Sequence, residues 1–249
     1  VLERLERVTG GREPTTNDIH VFLDGLSDKK PSTVRQYWYR IRDYCKVMGI
    51  EIDEDSIERR IPLTVVPRIV IYTEEEVRKI IQDHDYKYPI RVICRLMYEY
   101  ARRLSEVLYL KKSDISIRRG TITFKILKKK RDLWKTYMLS EKTRRMLLKY
   151  MREWRVIDND YLFTGKSREG TIGRVTVWKG LKAICRYHHI PFRPPHALRH
   201  SRVSHLYAQG ISLKAIQEEL TLHDDYRVLA DRYTPVSYTH LTLPTTERV

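Results

Sequence analysis

The feature that most constrains this chain is an extended run, Ile61-Pro-Leu-Thr-Val-Val-Pro-Arg-Ile-Val-Ile71, whose two prolines push their neighbours away from helix. Helical patterning flanks it on both sides. The run therefore predicts a linker over residues 61–71 between a small domain, residues 1–60, and a larger one, residues 72–235. At 249 residues the chain is long enough for two units, each with a core of its own. The fold expected is mainly α with a small β-sheet in the larger domain, beside a separate all-helical N-terminal domain.

In the first part, Thr15 or Thr16 stands where it caps a helix over Asp18–Leu26, and Ser32 where it caps Thr33–Met48. In the second of these helices Val34, Trp38, Ile41, Cys45 and Met48 share one face at helical spacing, flanked by a stripe of Arg35, Tyr39, Arg42 and Lys46. Cations interleaved with an aromatic ring suit a nucleic-acid backbone, and an ordinary solvated helix face gives the same pattern. From Ile50 to Val70 helical continuity is lost. Beyond the linker, Thr73 and Glu76 form a capping box. A mainly apolar helix follows over Pro89–Ala101, then a short helical piece through Leu110. The β-rich runs Thr121–Leu127 and Trp134–Leu139 read as a hairpin. Ser140 opens a helix over Glu141–Trp154. Further helices are expected at Val175–His188, His196–Gln209 and Ser212–Leu220, with Gly210 as a stop between the last two. Residues 236–249 have no helical period and are threonine-rich, so they read as a non-native tail, and the start at Val1 reads as that of a fragment.

Charge points to the partner. The chain carries 48 Lys+Arg against 32 Asp+Glu, a net +16. The first 70 residues hold 12 of each sign, so the whole excess lies in the C-terminal two-thirds. Such an imbalance calls for a polyanion: a nucleic acid, or else an anionic membrane surface. Cys45, Cys94 and Cys185 stand far apart without metal-ligand spacing and read as buried thiols of a reducing compartment. No stretch approaches the length of apolar chain that a membrane span needs, and no signal peptide opens the chain. A cytoplasmic protein without a membrane partner is the expectation.

Three separated segments carry chemistry. Ala101-Arg-Arg-Leu-Ser-Glu-Val107 ends an apolar helix and begins the next. His196-Ala-Leu-Arg-His200 follows Pro194 and Pro195, and His223 precedes Tyr233 by ten positions. An isolated Arg-x-Ser-Glu or His-x-x-Arg is a common helix-surface pair. Their joint order and spacing are far more specific, and in that order they resemble the tyrosine recombinase (phage integrase) family over roughly Tyr72–Thr234. The resemblance selects Arg103, directly before the hydrophobic-Ser-Glu triplet, as the first catalytic arginine. It matches His196 and Arg199 to the His-x-x-Arg, His223 to the second histidine, and Tyr233 to the nucleophile. The family usually has glycine before that second histidine, and this chain has Leu222.

The residue chemistry suits those roles. A phosphodiester under attack gathers charge on its non-bridging oxygens, and two guanidiniums, Arg103 and Arg199, can hold them with planar charge-assisted bonds. A tyrosine hydroxyl, with an ordinary pKa of about 10, needs a base or a cationic setting before it attacks. His196 is the expected base, and His223 a donor to the phosphate. By resemblance a lysine of the turn Leu127-Lys-Lys-Lys-Arg131 protonates the departing 5′ oxygen, with Lys128 favoured and Lys129 and Lys130 open. Glu106 is expected to orient Arg103. This chemistry calls for no metal and no cofactor. The resemblance further implies double-stranded DNA as partner, gripped chiefly through phosphates, and a homotetrameric synapse on two sites.

Other readings compete. His196, His200 and His205 with Asp224 or Asp225 are the raw material of a metal-dependent nuclease, although Arg199 would add positive charge beside the cation. A type IB topoisomerase shares the arginine, lysine and tyrosine chemistry. A non-catalytic helix-turn-helix protein would use the region Ser212–Asp231.

Overall fold

A computed structural model describes residues 1–62, 70–127, 133–153, 160–165 and 170–221. The chain divides into two compact units, Val1–Pro67 and Arg68–Val249.

In the first unit, α1 (Leu2–Thr9), α2 (Thr16–Asp24), α3 (Pro31–Met48) and α4 (Glu54–Arg60) pack around the buried Ile19, Trp38, Ile41 and Ile57. Thr15 caps α2: its hydroxyl accepts the Asp18 N–H, and the Asp18 carboxylate accepts the Thr15 N–H at 2.9 Å. Arg12 closes on both oxygens of Asp18 at 2.7 Å, and its bonds together with those of Thr15 hold that carboxyl far below the usual range.

Three details depart from expectation. Ser32 does not cap α3; Pro31, with φ fixed and no N–H to satisfy, takes the first helical position, and Lys30 is the cap residue. Met48 is exposed rather than buried with Val34, Trp38, Ile41 and Cys45, because it is the last residue of α3 and the chain turns away at Gly49 in the left-handed region. Helix α4 lies inside the stretch read as irregular. It is seven residues long and buries only Ile57, too little to show a repeating period, and the Asp53 side chain starts it by accepting the Ser56 N–H at 2.9 Å.

The second unit opens with α5 (Glu74–Ile81), started by the capping box of Thr73 and Glu76. Helix α6 (Tyr88–Glu99) is buried on most sides because α5, α8, α9 and α10 all pack against it. At its crossing with α9 (Arg174–Tyr187), a Cβ on Gly180 would stand 2.6 Å from Ile90 Cγ1, so only glycine permits this approach. Helix α6 ends two residues earlier than expected. Tyr100 closes it, Ala101 takes a left-handed φ of 46°, and the Arg102 N–H returns to the Met97 carbonyl at 3.0 Å.

After α7 (Leu104–Leu108) comes a three-stranded antiparallel sheet, β1 (Ile115–Ser116), β2 (Thr121–Ile126) and β3 (Leu133–Met138), in sequential order. The hairpin runs from Thr121 opposite Met138 to Ile126 opposite Leu133. Ile122, Phe124 and Ile126 face the core. Strand β1 has two residues, too few for an alternating pattern to reveal it. Helices α8 (Glu141–Glu153), α9, α10 (His196–Ala208) and α11 (Leu213–Ile216) follow, and the last passes into a π turn over Gln217–Thr221. Gly210, at φ 89°, ends α10. Among the described residues no helix is long and apolar enough to cross a membrane, and Cys45, Cys94 and Cys185 are free and buried. The hairpin turn with Lys128, Lys129 and Lys130, the segment with His223 and Tyr233, Asp224 and Asp225, and residues 236–249 lie outside the described residues.

Candidate active site

The turn between α6 and α7 sends two consecutive arginines in different directions. Arg103, extended at φ −72° and ψ 149°, precedes α7 with its side chain 18% exposed. Arg102 is fully buried. Glu106, on the first turn of α7, serves Arg103 twice. It accepts the Arg103 backbone N–H at 3.0 Å with Oε2 and the guanidinium Nη1 at 2.8 Å with Oε1. Oε1 also accepts the Leu127 N–H at 3.4 Å, where β2 ends and the lysine turn begins. Burial pushes the Glu106 carboxyl up, but the Arg103 N–H, the charge of Arg102 and the Arg103 side chain outweigh it, so the group lies below its ordinary value. Glu106 thus holds Arg103 by both its backbone and its guanidinium.

Arg199, on the first turn of α10, is buried. Its Nη1 donates to the Ala101 carbonyl, and its Nη2 donates to the Thr221 carbonyl at 2.9 Å. One guanidinium therefore ties together the turn that presents Arg103, the start of α10, and the chain two residues before His223. His196 is the first residue of α10, exposed, with its ring edge-on to His200 at 4.5 Å between centroids.

The approach to His196 is fixed from below. The buried Tyr72 hydroxyl donates to the Arg193 carbonyl at 2.6 Å and accepts the Arg193 N–H at 2.8 Å, while Ser201 Oγ accepts the Tyr72 N–H at 2.8 Å. Burial pushes the Tyr72 phenol far up, so it stays protonated. Arg193 also lies over the Tyr72 ring and pairs with Glu76, which locks the Phe192–Pro195 lead-in to α5. Arg174, at the start of α9, donates to Ser105 Oγ at 2.7 Å.

Of the sequence-derived set, the fold brings Arg103, Glu106 and Arg199 together and puts His196 at the head of the same helix as Arg199. Among the described residues no cluster of three or more His, Cys, Asp or Glu is placed to hold a metal ion. His205 Nδ1 is engaged with the Tyr98 hydroxyl at 2.9 Å.

The phage integrase family model matches residues 71–240 of this chain. The chain belongs to that family, the tyrosine recombinases. Among recombinases of known name, the tyrosine recombinase XerA of Pyrococcus furiosus is 31% identical over 217 residues, covering 84% of this chain and 73% of the relative. The tyrosine recombinase XerD of Listeria monocytogenes is 27% identical over 229 residues, covering 86% and 73%. Among solved recombinase structures, XerH bound to its difH substrate in a pre-cleavage complex aligns with a TM-score of 0.67 at 20% identity, over 89% of this chain and 67% of that one. The Tn1549 transposon integrase in complex with circular intermediate DNA aligns at 0.64 and 16%, over 93% and 87%. At these identities the structures establish the shared fold.

Sequence reasoning missed the supports of this candidate site: Tyr72, Ser201, the Arg174–Ser105 contact and Arg102. Only Arg102 left a trace, as the arginine that the resemblance set aside in favour of Arg103, and nothing in the string shows that it is buried.

The stripe on α3 is partly neutralised. Lys46 pairs with Glu54 at 3.2 Å, Arg42 approaches Glu58 at 3.9 Å, and the Arg42 guanidinium lies 5.0 Å from the centre of the exposed Tyr39 ring. Arg35 is half-buried beside Trp38, Glu58 and Ile61.

Proposed function

We propose that this chain is a site-specific DNA recombinase that breaks and rejoins strands through a covalent 3′-phosphotyrosine without a metal ion. The observation that carries this reading is the double anchorage of Arg199 to the Ala101 and Thr221 carbonyls, which joins the turn that presents Arg103, the start of α10 and Thr221 around one guanidinium.

In this reading the Tyr233 oxygen attacks phosphorus while His196 takes its proton. The bond from phosphorus to O5′ breaks, and O5′ takes a proton from a lysine of the turn after Leu127, Lys128 in the first instance and Lys129 or Lys130 otherwise. Arg103 and Arg199 compensate the charge that grows on the non-bridging oxygens, and His223 donates to one of them. The products are a 3′-phosphotyrosine and a free 5′ hydroxyl. Attack by a partner strand's 5′ hydroxyl reverses the step, so the phosphodiester bond energy is conserved and no nucleotide is consumed. Residues 1–60 form a helical domain that grips DNA from the α3 stripe, and the recombination sites are joined in a homotetrameric synapse.

The test is incubation with a nicked or phosphorothiolate-trapped site in EDTA, followed by denaturing electrophoresis. An adduct formed by the parent and lost in Tyr233→Phe is expected. Binding without an adduct on the correct site, or cleavage only after a divalent metal is restored, would overturn the reading.

A further inference from the structure

Among the described residues of the second unit three arginines, Arg91, Arg102 and Arg199, are buried, and they are not satisfied alike. Arg91 has a bonding partner for each nitrogen: Nε on the Tyr86 carbonyl, Nη1 on the Lys79 and Ile80 carbonyls that end α5, and Nη2 with His188. Arg199 holds the two carbonyls already described. Arg102 donates only through Nε, to its neighbour's carbonyl at Tyr100, 2.8 Å away. Its Nη1 and Nη2 have no hydrogen-bond partner among the described residues.

A fully buried guanidinium left in this state is costly, and packing alone does not require it. Among the described residues its surroundings are the rings of Tyr137 and Phe124, whose centres lie 5.3 and 5.8 Å away, the phenol oxygen of Tyr137, which favours the charged guanidinium, and the Glu106 carboxylate. Its Nε stands 4.0 Å from Glu106 Oε2, the same oxygen that accepts the Arg103 backbone N–H. At that distance the pair interacts through charge in a dry setting more than through a shared hydrogen.

We propose that Arg102 is a positioning residue whose buried guanidinium, acting through the Glu106 carboxylate, holds Arg103 and the foot of the lysine turn in place. Glu106 makes this possible because it touches both parts: Arg103 through two bonds, and the Leu127 N–H through the third. The groups facing Glu106 are Arg102 and Arg103 from its own segment, Leu127 N–H from the end of β2, and, more distantly, the phenol of Tyr137 on β3. A neutral Glu106 would be a weaker acceptor for both Arg103 bonds. The charge of Arg102 opposes that neutralisation from the buried side, and unlike a lysine or histidine it does not lose its proton.

This inference rests on the recombinase reading for its catalytic half, and the test separates the two. Adduct formation and urea unfolding are measured from about pH 5.5 to 8 in the parent, Arg102→Met, Arg102→Gln, Arg102→Lys, Glu106→Gln and the Arg102→Met/Glu106→Gln double variant. In the parent the Glu106 carboxyl lies below its unfolded value of about 4.3, so its contribution is constant over this range and is lost only on stronger acidification. Removing the charge lets burial dominate, and the carboxyl rises into the range. Arg102→Met should then lose about tenfold in adduct rate from pH 8 to pH 5.5 beyond whatever the parent loses. Its urea midpoint should move the opposite way, recovering toward the parent's as pH falls. Arg102→Lys, whose buried ammonium loses its proton more readily than a guanidinium, should fall between the parent and Arg102→Met. Arg102→Gln follows Arg102→Met and replaces it should that variant not fold.

In the Glu106→Gln background, Arg102→Met should add no further pH dependence. A folded Arg102→Met or Arg102→Gln with the parent's pH profile overturns the proposal, leaving Arg102 a packing residue only. If the parent itself forms no adduct, the recombinase reading fails, and the urea series alone decides: a gap that narrows on acidification supports the Arg102–Glu106 coupling, and a constant gap ends it.

Discussion

The two units use their cations in opposite ways. In the first, where acidic and basic residues balance over the first 70 positions, the α3 stripe is a row of side chains at the surface, with Arg42 and Lys46 each close to a carboxylate from α4. In the second, which carries the net positive charge, Arg199 and Arg102 are taken out of solvent and Arg103 is partly so, and each is committed to backbone carbonyls or to one buried glutamate. Exposed pairs of the first kind contribute about 0–1 kcal/mol each and yield to a competing phosphate. Arginines of the second kind are held in one orientation before any ligand arrives, which is the condition under which charge stabilises a transition state more than a ground state. In the proposed reading the first unit binds and the second reacts.

The sharpest way to break this contrast is Arg199→Met. It removes the donor shared by Ala101 and Thr221 and leaves both carbonyls without it inside the protein. Adduct formation is expected to fall by about a thousandfold, and unfolding by urea to become easier by about 1–3 kcal/mol for each orphaned carbonyl. Retention of the adduct rate to within about tenfold would show that the anchorage is scaffolding and that the phosphate is held elsewhere.

Arg103→Ala separates reaction from stability. Its side chain is partly exposed, and Glu106 keeps the Arg103 and Leu127 N–H groups when the guanidinium goes. A loss of about a hundredfold in adduct formation is expected, with a change in unfolding free energy below about 1 kcal/mol. A large loss of stability instead would make Arg103 a structural partner of Glu106 and move the clamp to Arg199 alone.

Much of this was legible in the string, and the line between the legible and the illegible is physical. Helices α3, α5, α6, α8, α9 and α10 are long enough for a period or carry a capping signal, and the hairpin of β2 and β3 shows β-rich runs around a basic turn. Helix α4 and strand β1 are short elements stabilised by contacts from elsewhere, so local pattern is weak there. At the site, residue types and order pointed to Arg103, Glu106, His196 and Arg199. The burial of Arg102, the seat of Tyr72 between the N–H and C=O of Arg193, and the tie from Arg174 to Ser105 are products of tertiary packing. No spacing rule reaches contacts made over 69 or 121 positions.

The smallest expected effect sharpens the comparison from the binding side. Arg42→Gln with Lys46→Gln removes two of the stripe's cations, and each phosphate left without its cation should lower the slope of log affinity against log salt by about 0.9. The adduct rate at saturating DNA should stay within about twofold, since neither side chain belongs to the arginine site. The reverse pair, Glu54→Gln with Glu58→Gln, frees Lys46 and Arg42 from the carboxylates at 3.2 and 3.9 Å and should tighten binding at low salt by a few-fold, with a steeper salt slope. Filter binding of the parent and both double variants at several salt concentrations reads both effects. If the glutamine pair at Arg42 and Lys46 leaves the slope unchanged, the stripe is an ordinary solvated face paired to α4, and the affinity for DNA resides in the positively charged second unit.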